Sequence, residues 1–330
     1  MHEKLVVIGG GAAGFFCAVN AARLHPDLQV LLVEKSNKLL AKVKVSGGGR
    51  CNTTHACFEL PELVQKYPRG QNFLKKTFHW FNTNDTIEWF AARGVDLKTE
   101  ADGRMFPTTN NSQTIIDCFL GKTKALGIPV LKNHGVTSIK KQGDSWLVTT
   151  KEQQFVCDAV VMAAGSSKKV WDLSQSLGHA VISPVPSLFT FNIKDIRIKD
   201  LLGISVSNAT VKLIDTNLEA SGPLLITHWG MSGPAILKLS AFSARLLAEC
   251  QYETTFVVSW LGDYTEDQVR ALFEDQIKHK PMAQLSSFRL PEVPKRLWLY
   301  LLDTLDIPSD KRWNEFSKKL KSFKFWVKSE

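Results

Sequence analysis

A mixed α/β architecture built on a parallel sheet is predicted by three features of this 330-residue chain. Residues 5–8 and 30–33 are short apolar runs flanking a helical pattern, and residues 157–163 form a third run that is apolar after Asp158. Glycines cluster where the first run meets the helix. Short continuous apolar runs separated by a helix are the signature of buried parallel strands and their crossover.

The opening unit carries the most specific chemistry. After the first run comes Gly9-Gly10-Gly11-Ala12-Ala13-Gly14, and the second run ends in Glu34. In such a strand–turn–helix, Gly9 allows the tight turn and Gly11 allows close backbone approach to a pyrophosphate. Gly14 lets the helix pack tightly on the strand. The free N–H groups at the helix start, at Ala12 and Ala13, and the helix dipole favour phosphate. Glu34 is placed to accept hydrogen bonds from a ribose diol and to repel a 2′-phosphate, so FAD or NAD is expected rather than NADP.

Further along, residues 38–58 read as a loop containing VSGGGRCN. Apolar faces predict helices over 72–82 and 84–93, the second stopped by Gly94. Residues 95–108 look extended, with Asp102-Gly103 as a turn. Asn111 or Ser112 caps a helix running to Leu126. Strands are expected at 129–132, 136–140 and 145–150, followed by a buried parallel strand at 157–163 that ends in Ala164-Gly165. Pro184 and Pro186 mark a boundary. Residues 188–262 are rich in short β patterns, with one helix near 234–250. Over 264–280, Thr265 and Gln268 form a capping box, and Val269, Leu272, Phe273 and Ile277 share one face. Helices continue over 294–322, and a strand begins near 323. The expected domains are 1–187, 188–262 and 263–330.

Composition is that of a soluble globular protein, with 44% hydrophobic and 22% charged residues. No apolar run reaches membrane-spanning length, and the first residues enter a strand at once, leaving no room for a signal peptide. The expectation is a cytoplasmic protein with no membrane contact. The six cysteines (Cys17, Cys51, Cys57, Cys118, Cys157 and Cys250) form no CxxC pair, which points to free thiols and no metal site. The net charge is +9. Residues 38–80 carry eight Lys/Arg against Glu59 and Glu62, a surplus that would serve a bound diphosphate. Residues 295–330 carry nine against five acids and read as solvated helix faces, without the aromatic interleaving that stacks bases.

Four segments carry a family resemblance: GGGAAG with Glu34-Lys35, residues 42–52 (KVKVSGGGRCN), 102–107 (DGRMFP) and 227–234 (THWGMSGP). They resemble a family of bacterial FAD-binding oxidoreductases that includes aminoacetone oxidase and a flavoenzyme acting on dehydro-bile acids. The resemblance implies a Rossmann-like FAD domain of the two-dinucleotide type, interrupted by a β-barrel-like insert and a small helical domain. It also implies that Lys35, Lys42, Cys51 and Asn52 join the cofactor site. Members of the family return to the FAD domain through a further glycine-rich segment that is absent before Glu330. The expectation is therefore an exposed strand edge and apolar surface, in a truncated product or one completed by a partner.

Individual residues then take candidate roles. Gly48 and Gly49 can turn N–H groups toward a phosphate, and Arg50 either adds charge-assisted bonds or faces water. Cys51 reads as a packed thiol rather than a redox one. Val136 resembles the valine that pairs its backbone with adenine in two-dinucleotide flavoproteins. Ala164 and Gly165 are small enough for a dinucleotide to approach them, or simply pack closely. His228 is the catalytic candidate, as a proton relay, against a structural histidine. Ser232 reads as a cap for the helix opening near Pro234, and Arg104 either anchors an acidic substrate or pairs with Asp102 or Glu100. Together these imply an FAD-dependent oxidoreductase moving hydride between a small organic substrate and flavin, with dioxygen or NAD(P)H as redox partner. The alternatives are an RNA-associated flavoprotein, motivated by the charge although nucleic acid is the weaker partner reading, and a truncated, non-catalytic flavin-fold protein. Nothing in the sequence specifies the oligomeric state.

Overall fold

The computed structural model describes residues 3–193, 196–262, 264–280, 282–288, 293–304 and 325–328. The chain divides into two compact units, Met1–Ile182 and Ser183–Glu330.

The first unit is built on a parallel sheet with strands in the order Ala159–Met162, Lys4–Ile8, Gln29–Val33, Val130–Leu131. The apolar residues of the two central strands alternate between layers. Leu5, Val7, Val30 and Leu32 pack with Phe15, Ala18, Val19, Ile115 and Phe119 of the helices. Val6, Ile8, Leu31 and Val33 pack with Ile139, Val148 and Phe155 of an antiparallel meander. A strand covered on both faces needs an apolar residue at every position, which is why these runs are continuous. Burying each such side chain contributes about 1.5–3 kcal/mol.

Several expectations are corrected here. Residues 157–163 are not one strand. The Asp158 carboxylate accepts the Lys4 N–H at 2.7 Å, and the break divides Gln154–Cys157, which closes the meander, from Ala159–Met162, which joins the parallel sheet. The latter is an edge strand, so its residues are exposed or half-buried. Residues 130–131 belong to the parallel sheet rather than to the meander. The expected loop at 38–58 contains the helix Ala41–Gly49, which leaves helical geometry at Ser46, Gly47 and Gly48. Helices Leu60–Gln65 and Lys168–Ser176 are additional to the expected set, and neither has a side-chain cap to mark its start. The Asn82–Asp85 capping box that opens Thr83–Ala91 is not among the sequence expectations, whereas the Asn111 cap and the Asp102-Gly103 turn are. Asn111 accepts the Gln113 N–H to open Ser112–Ala125, and Asp102-Gly103 joins Leu97–Thr99 to Arg104–Pro107.

The second unit holds a six-stranded antiparallel sheet in the order Phe191–Asn192, Gly230–Ser232, Glu219–Thr227, Ser205–Leu213, Thr255–Ser259, Phe325–Lys328. A bulge between Val206 and Ala209 shifts the register, and it keeps Val206, Ala209, Val211 and Leu213 all in the core. The single helix expected near 234–250 is two, Pro234–Phe242 and Ala244–Glu249. At the joint the Ser243 hydroxyl donates to the Leu239 carbonyl, a back-bond of the kind that bends helices. Glu266–His279 opens with the expected Thr265–Gln268 capping box. Phe273 is buried and Leu272 half-buried, whereas the Val269 and Ile277 side chains lie outside the described set. Of the helices expected over 294–322, Lys295–Thr304 is described and 305–322 lies outside.

Trp298 organises the helical part of this unit. It is buried, its indole N–H donates to the Leu285 carbonyl at 2.7 Å, and it packs on Phe273 and Phe288. Trp298→Ala is expected to cost about 3–5 kcal/mol through the cavity alone, read as a lowered urea midpoint. No helix among the described residues is long and apolar enough to cross a membrane.

Candidate functional site

The opening glycines do different work. Gly9 has φ +119°, and a Cβ there would lie 2.6 Å from the Ala163 carbonyl oxygen. A Cβ on Gly14 would lie 1.9 Å from the Gly9 oxygen. Both are glycines because the chain passes itself too closely for a side chain. Gly11 is different. It is the extended N-cap of the helix Ala12–Leu24, no side chain caps that helix, and a Cβ on Gly11 would meet nothing within 4 Å. Ala12 and Ala13 are exposed beside it. Packing therefore gives no reason for glycine at position 11, while an uncapped helix start opening on free space suits a phosphate.

Glu34 is half-buried at the end of its strand and ties the turn to the next loop. Its Oε2 accepts the Gly10 N–H at 2.8 Å, and its Oε1 accepts the N–H and hydroxyl of Ser36 at 2.9 and 2.8 Å. A carboxylate offers about four acceptor positions, so one remains, on Oε2.

In the second glycine segment, Gly47, Gly48 and Gly49 have φ values of +56°, +68° and +86°. Gly47 is sterically required, since a Cβ would strike the Asn52 nitrogen and the Phe106 ring at 2.8 Å. At Gly48 and Gly49 a Cβ would meet nothing. Cys51 is buried, Asn52 exposed. Arg50 neither faces water freely nor points at an empty loop. Its guanidinium stacks 4.0 Å from the Phe106 ring centre and pairs with Glu100 at 2.5 Å. Arg104 joins the same network, to Asp102 at 2.7 Å and Glu100 at 3.5 Å, so both of its expected pairings are present. Hydrogen bonds from the backbone N–H and guanidinium of Arg104 hold the Asp102 carboxyl below the usual carboxylate range. Sequence reading weighs Glu100 only against Arg104 and misses its pairing with Arg50, which lies 50 positions away with no local pattern to link them.

Lys42 reaches the carboxyl end of the edge strand, where its Nζ donates to the Ser166 hydroxyl at 3.2 Å. The Cβ position of Gly165 is 3.8 Å from that Nζ. Ala163 donates its N–H to the Ile8 carbonyl, which brings Ala164 and Gly165 beside the first glycine turn. Lys35 is exposed and lies against Gly135, which precedes Val136 at the start of the meander. The first unit thus gathers Gly9, Gly14, Ala164, Gly165 and Lys42 around one sheet end.

His228 and Ser232 belong to the second unit. His228 is exposed in the hairpin between Glu219–Thr227 and Gly230–Ser232, its ring centre 3.9 Å from that of Trp229. Ser232 does not cap the following helix, because it is paired within a strand and Gly233 holds the N-cap position. Gly230 and Gly233 explain the glycines of this segment: their Cβ atoms would lie 2.1 Å from the Phe191 oxygen and 2.6 Å from the Pro223 oxygen.

All six cysteines are free. Burial pushes the thiols of Cys17, Cys118 and Cys157 up. A cavity of about 630 Å3 lies away from the glycine turns, lined by Val19, Arg23, Trp89, Arg93 and Lys122 among others.

The sequence matches the HI0933-like protein Rossmann domain over residues 3–232 and the HI0933-like protein barrel and H2TH domain over residues 185–323. It is 25% identical over 311 residues to a 3-dehydro-bile acid delta(4,6)-reductase of Clostridium scindens, covering 91% of this chain and 75% of that protein. It is 26% identical over 257 residues to a ribosomal RNA dihydrouridine synthase of Haemophilus influenzae, covering 73% of this chain and 62% of that protein. The chain thus spans three quarters of one relative's length and less than two thirds of the other's. A crystal structure of 3-ketosteroid delta1-dehydrogenase from Sterolibacterium denitrificans resembles it with a TM-score of 0.43 and 12% identity, over 64% of this chain and 62% of that one. With the Rossmann match alone extending across more than half of its length, this chain belongs to the HI0933-like family of FAD-dependent oxidoreductases.

Proposed function

We propose that this chain holds FAD across its two glycine turns and moves hydride between the flavin and an organic substrate. The observation that carries the reading is the open space at Gly11, on a helix start that no side chain caps. In this assignment the N–H groups of Ala12 and Ala13 bond the pyrophosphate, and the remaining acceptor position of Glu34 takes one ribose hydroxyl without disturbing Gly10 or Ser36. Gly48 and Gly49 line the diphosphate from the second turn, with Lys42 supplying positive charge. Val136, Ala164 and Gly165 leave room for the nucleotide. When bound, the isoalloxazine supplies the two-electron chemistry. His228, on its exposed hairpin, is the residue assigned to exchange a proton with solvent. NAD(P)H or dioxygen is the assigned redox partner. The test is an absorbance spectrum of the purified chain after incubation with FAD and gel filtration, with identification of any released cofactor. A flavin band travelling with the protein is expected, and a colourless protein overturns the reading.

Arg50 is the adjustable part of this site. Glu100 takes two of the five N–H donors of Arg50 and offsets its charge, so Glu100 competes with the ligand. Glu100→Gln is therefore expected to tighten FAD binding by about 3–10-fold, about 0.6–1.4 kcal/mol, in keeping with the net worth of one ordinary hydrogen bond. Titration by flavin fluorescence checks it. Weaker binding would mean that Glu100 orients Arg50 rather than restraining it.

A second reading, an RNA-associated flavoprotein, is supported by the +9 charge and by the similarity to a ribosomal RNA dihydrouridine synthase. Salt-sensitive RNA binding tests it, and absence of affinity at moderate salt ends it.

A further inference from the structure

The basic surplus of residues 38–80 splits into two groups. Lys38, Lys42, Lys44 and Arg50 lie in or before the second glycine segment, with Lys44 bonded to Gln113. Lys66, Arg69, Lys75 and Lys76 lie elsewhere, on and before the helix Gln71–Phe78. This second stretch is unusual in three respects. From residue 63 to residue 84 the sequence contains no acid. The helix Gln71–Phe78 buries none of its residues. Two rings face outward, Phe73 at 78% exposed and Trp80 at 74%, whereas Tyr67, 39% exposed, packs on Phe78 with ring centres 5.4 Å apart. Large rings left in water beside lysines have no folding role, because burial is what an aromatic side chain contributes to a core. Lys76 lies 5.8 Å from the Trp80 ring centre, so a cation already flanks a stacking face.

We propose that the exposed surface of residues 66–80, carrying Lys66, Tyr67, Phe73, Lys75, Lys76 and Trp80, is a docking site for single-stranded RNA. The proposal rests on the RNA-associated reading above and adds the surface that serves it. Charge complementarity selects the occupant: Lys66, Lys75 and Lys76, in a stretch of sequence without an acid, match a phosphate backbone, and the exposed rings of Phe73 and Trp80 match unstacked bases. A bilayer is a poorer match. The helix is only about two turns long, and of its apolar side only Phe73 is fully exposed, Leu74 and Phe78 being half-buried against the protein, whereas a membrane-surface helix offers a whole apolar face to the bilayer.

The test uses the full chain and a fluorescein-labelled single-stranded RNA of mixed sequence, about 20 nucleotides long to exceed a typical site size. Binding is followed by polarisation across a salt series. The variants are Lys75→Glu/Lys76→Glu, Phe73→Ala/Trp80→Ala and, as a control elsewhere on the surface, Lys151→Glu. All five positions are exposed, so thermal midpoints should match wild type. The charge variant should weaken binding more than about tenfold and flatten the salt slope by about 1.4, two phosphate contacts at 0.7 each. The ring variant should weaken binding about fivefold or more with an unchanged slope. Lys151→Glu should behave as wild type. Equal RNA binding by wild type and all variants overturns this surface and leaves the RNA reading standing. No binding by wild type overturns both. Retention on phosphatidylglycerol vesicles that the same variants abolish, without RNA binding, would make the patch a membrane contact and also overturn the proposal.

Discussion

Gly14→Ala is expected to keep the first unit from reaching its native fold. The added methyl would sit 1.9 Å from the Gly9 carbonyl oxygen, far inside contact distance. Neither side can yield cheaply. Gly9 is itself pressed against Ala163, with its own Cβ position 2.6 Å from that carbonyl, and the helix bearing Gly14 packs Phe15, Ala18 and Val19 into the core. Overpacking in cores costs about 1–3 kcal/mol where side chains can shift. Here the clash is backbone on backbone, so a loss above about 3 kcal/mol is expected, a large share of the 5–15 kcal/mol typical of a folded domain. Urea unfolding and soluble yield read it directly. An unchanged midpoint would contradict the close helix–strand approach.

Gly11→Val makes the opposite prediction three residues away. Its backbone is extended, with φ −96° and ψ −175°, a conformation that valine favours. The Cβ meets nothing within 4 Å. Apo stability is therefore expected to fall by no more than about 1 kcal/mol, the cost of exchanging a glycine N-cap for an apolar one. FAD affinity should fall at least about 100-fold, because the isopropyl group fills the opening and displaces phosphate from more than one N–H, a loss of about 2.7 kcal/mol. Thermal melts of the apo chain and a flavin fluorescence titration separate the two effects. If the variant holds FAD as wild type does, the pyrophosphate is not at this turn. The contrast between positions 11 and 14 distinguishes a glycine kept for a ligand from one kept for the fold.

What was legible in the sequence was local. The capping box at Thr265–Gln268, the Asn111 cap, the Asp102-Gly103 turn and the strand–turn–helix at the start all arise from neighbours within a few residues. The failures are of a different kind. Residues 157–163 look like one strand because a continuous apolar run cannot show that Asp158 would bond Lys4. Residues 130–131 look like part of the meander because adjacency in sequence says nothing of which sheet a short strand joins. Within the site, the motif already separates Gly9 and Gly14, read as turn and packing glycines, from Gly11, and the Cβ distances divide the three the same way. In the second segment only the geometry shows that Gly47 answers to packing while Gly48 and Gly49 do not. The Arg50–Glu100 pair was invisible, because an exchangeable counter-ion is set by tertiary approach alone.

The parallel sheet also has a kinetic consequence. Its central strand, Lys4–Ile8, is flanked by Gln29–Val33 and by Ala159–Met162, and the second pairing joins Lys4 to Asp158 across 154 positions of chain. During synthesis at about 5–20 residues per second, the amino-terminal strand waits roughly 7–30 seconds for that neighbour to be made. Closing so long a loop slows the search further. The nascent βαβ segment thus spends its early life with one backbone edge of its first strand unpaired, and chaperone demand should be greatest before residue 160 clears the ribosome.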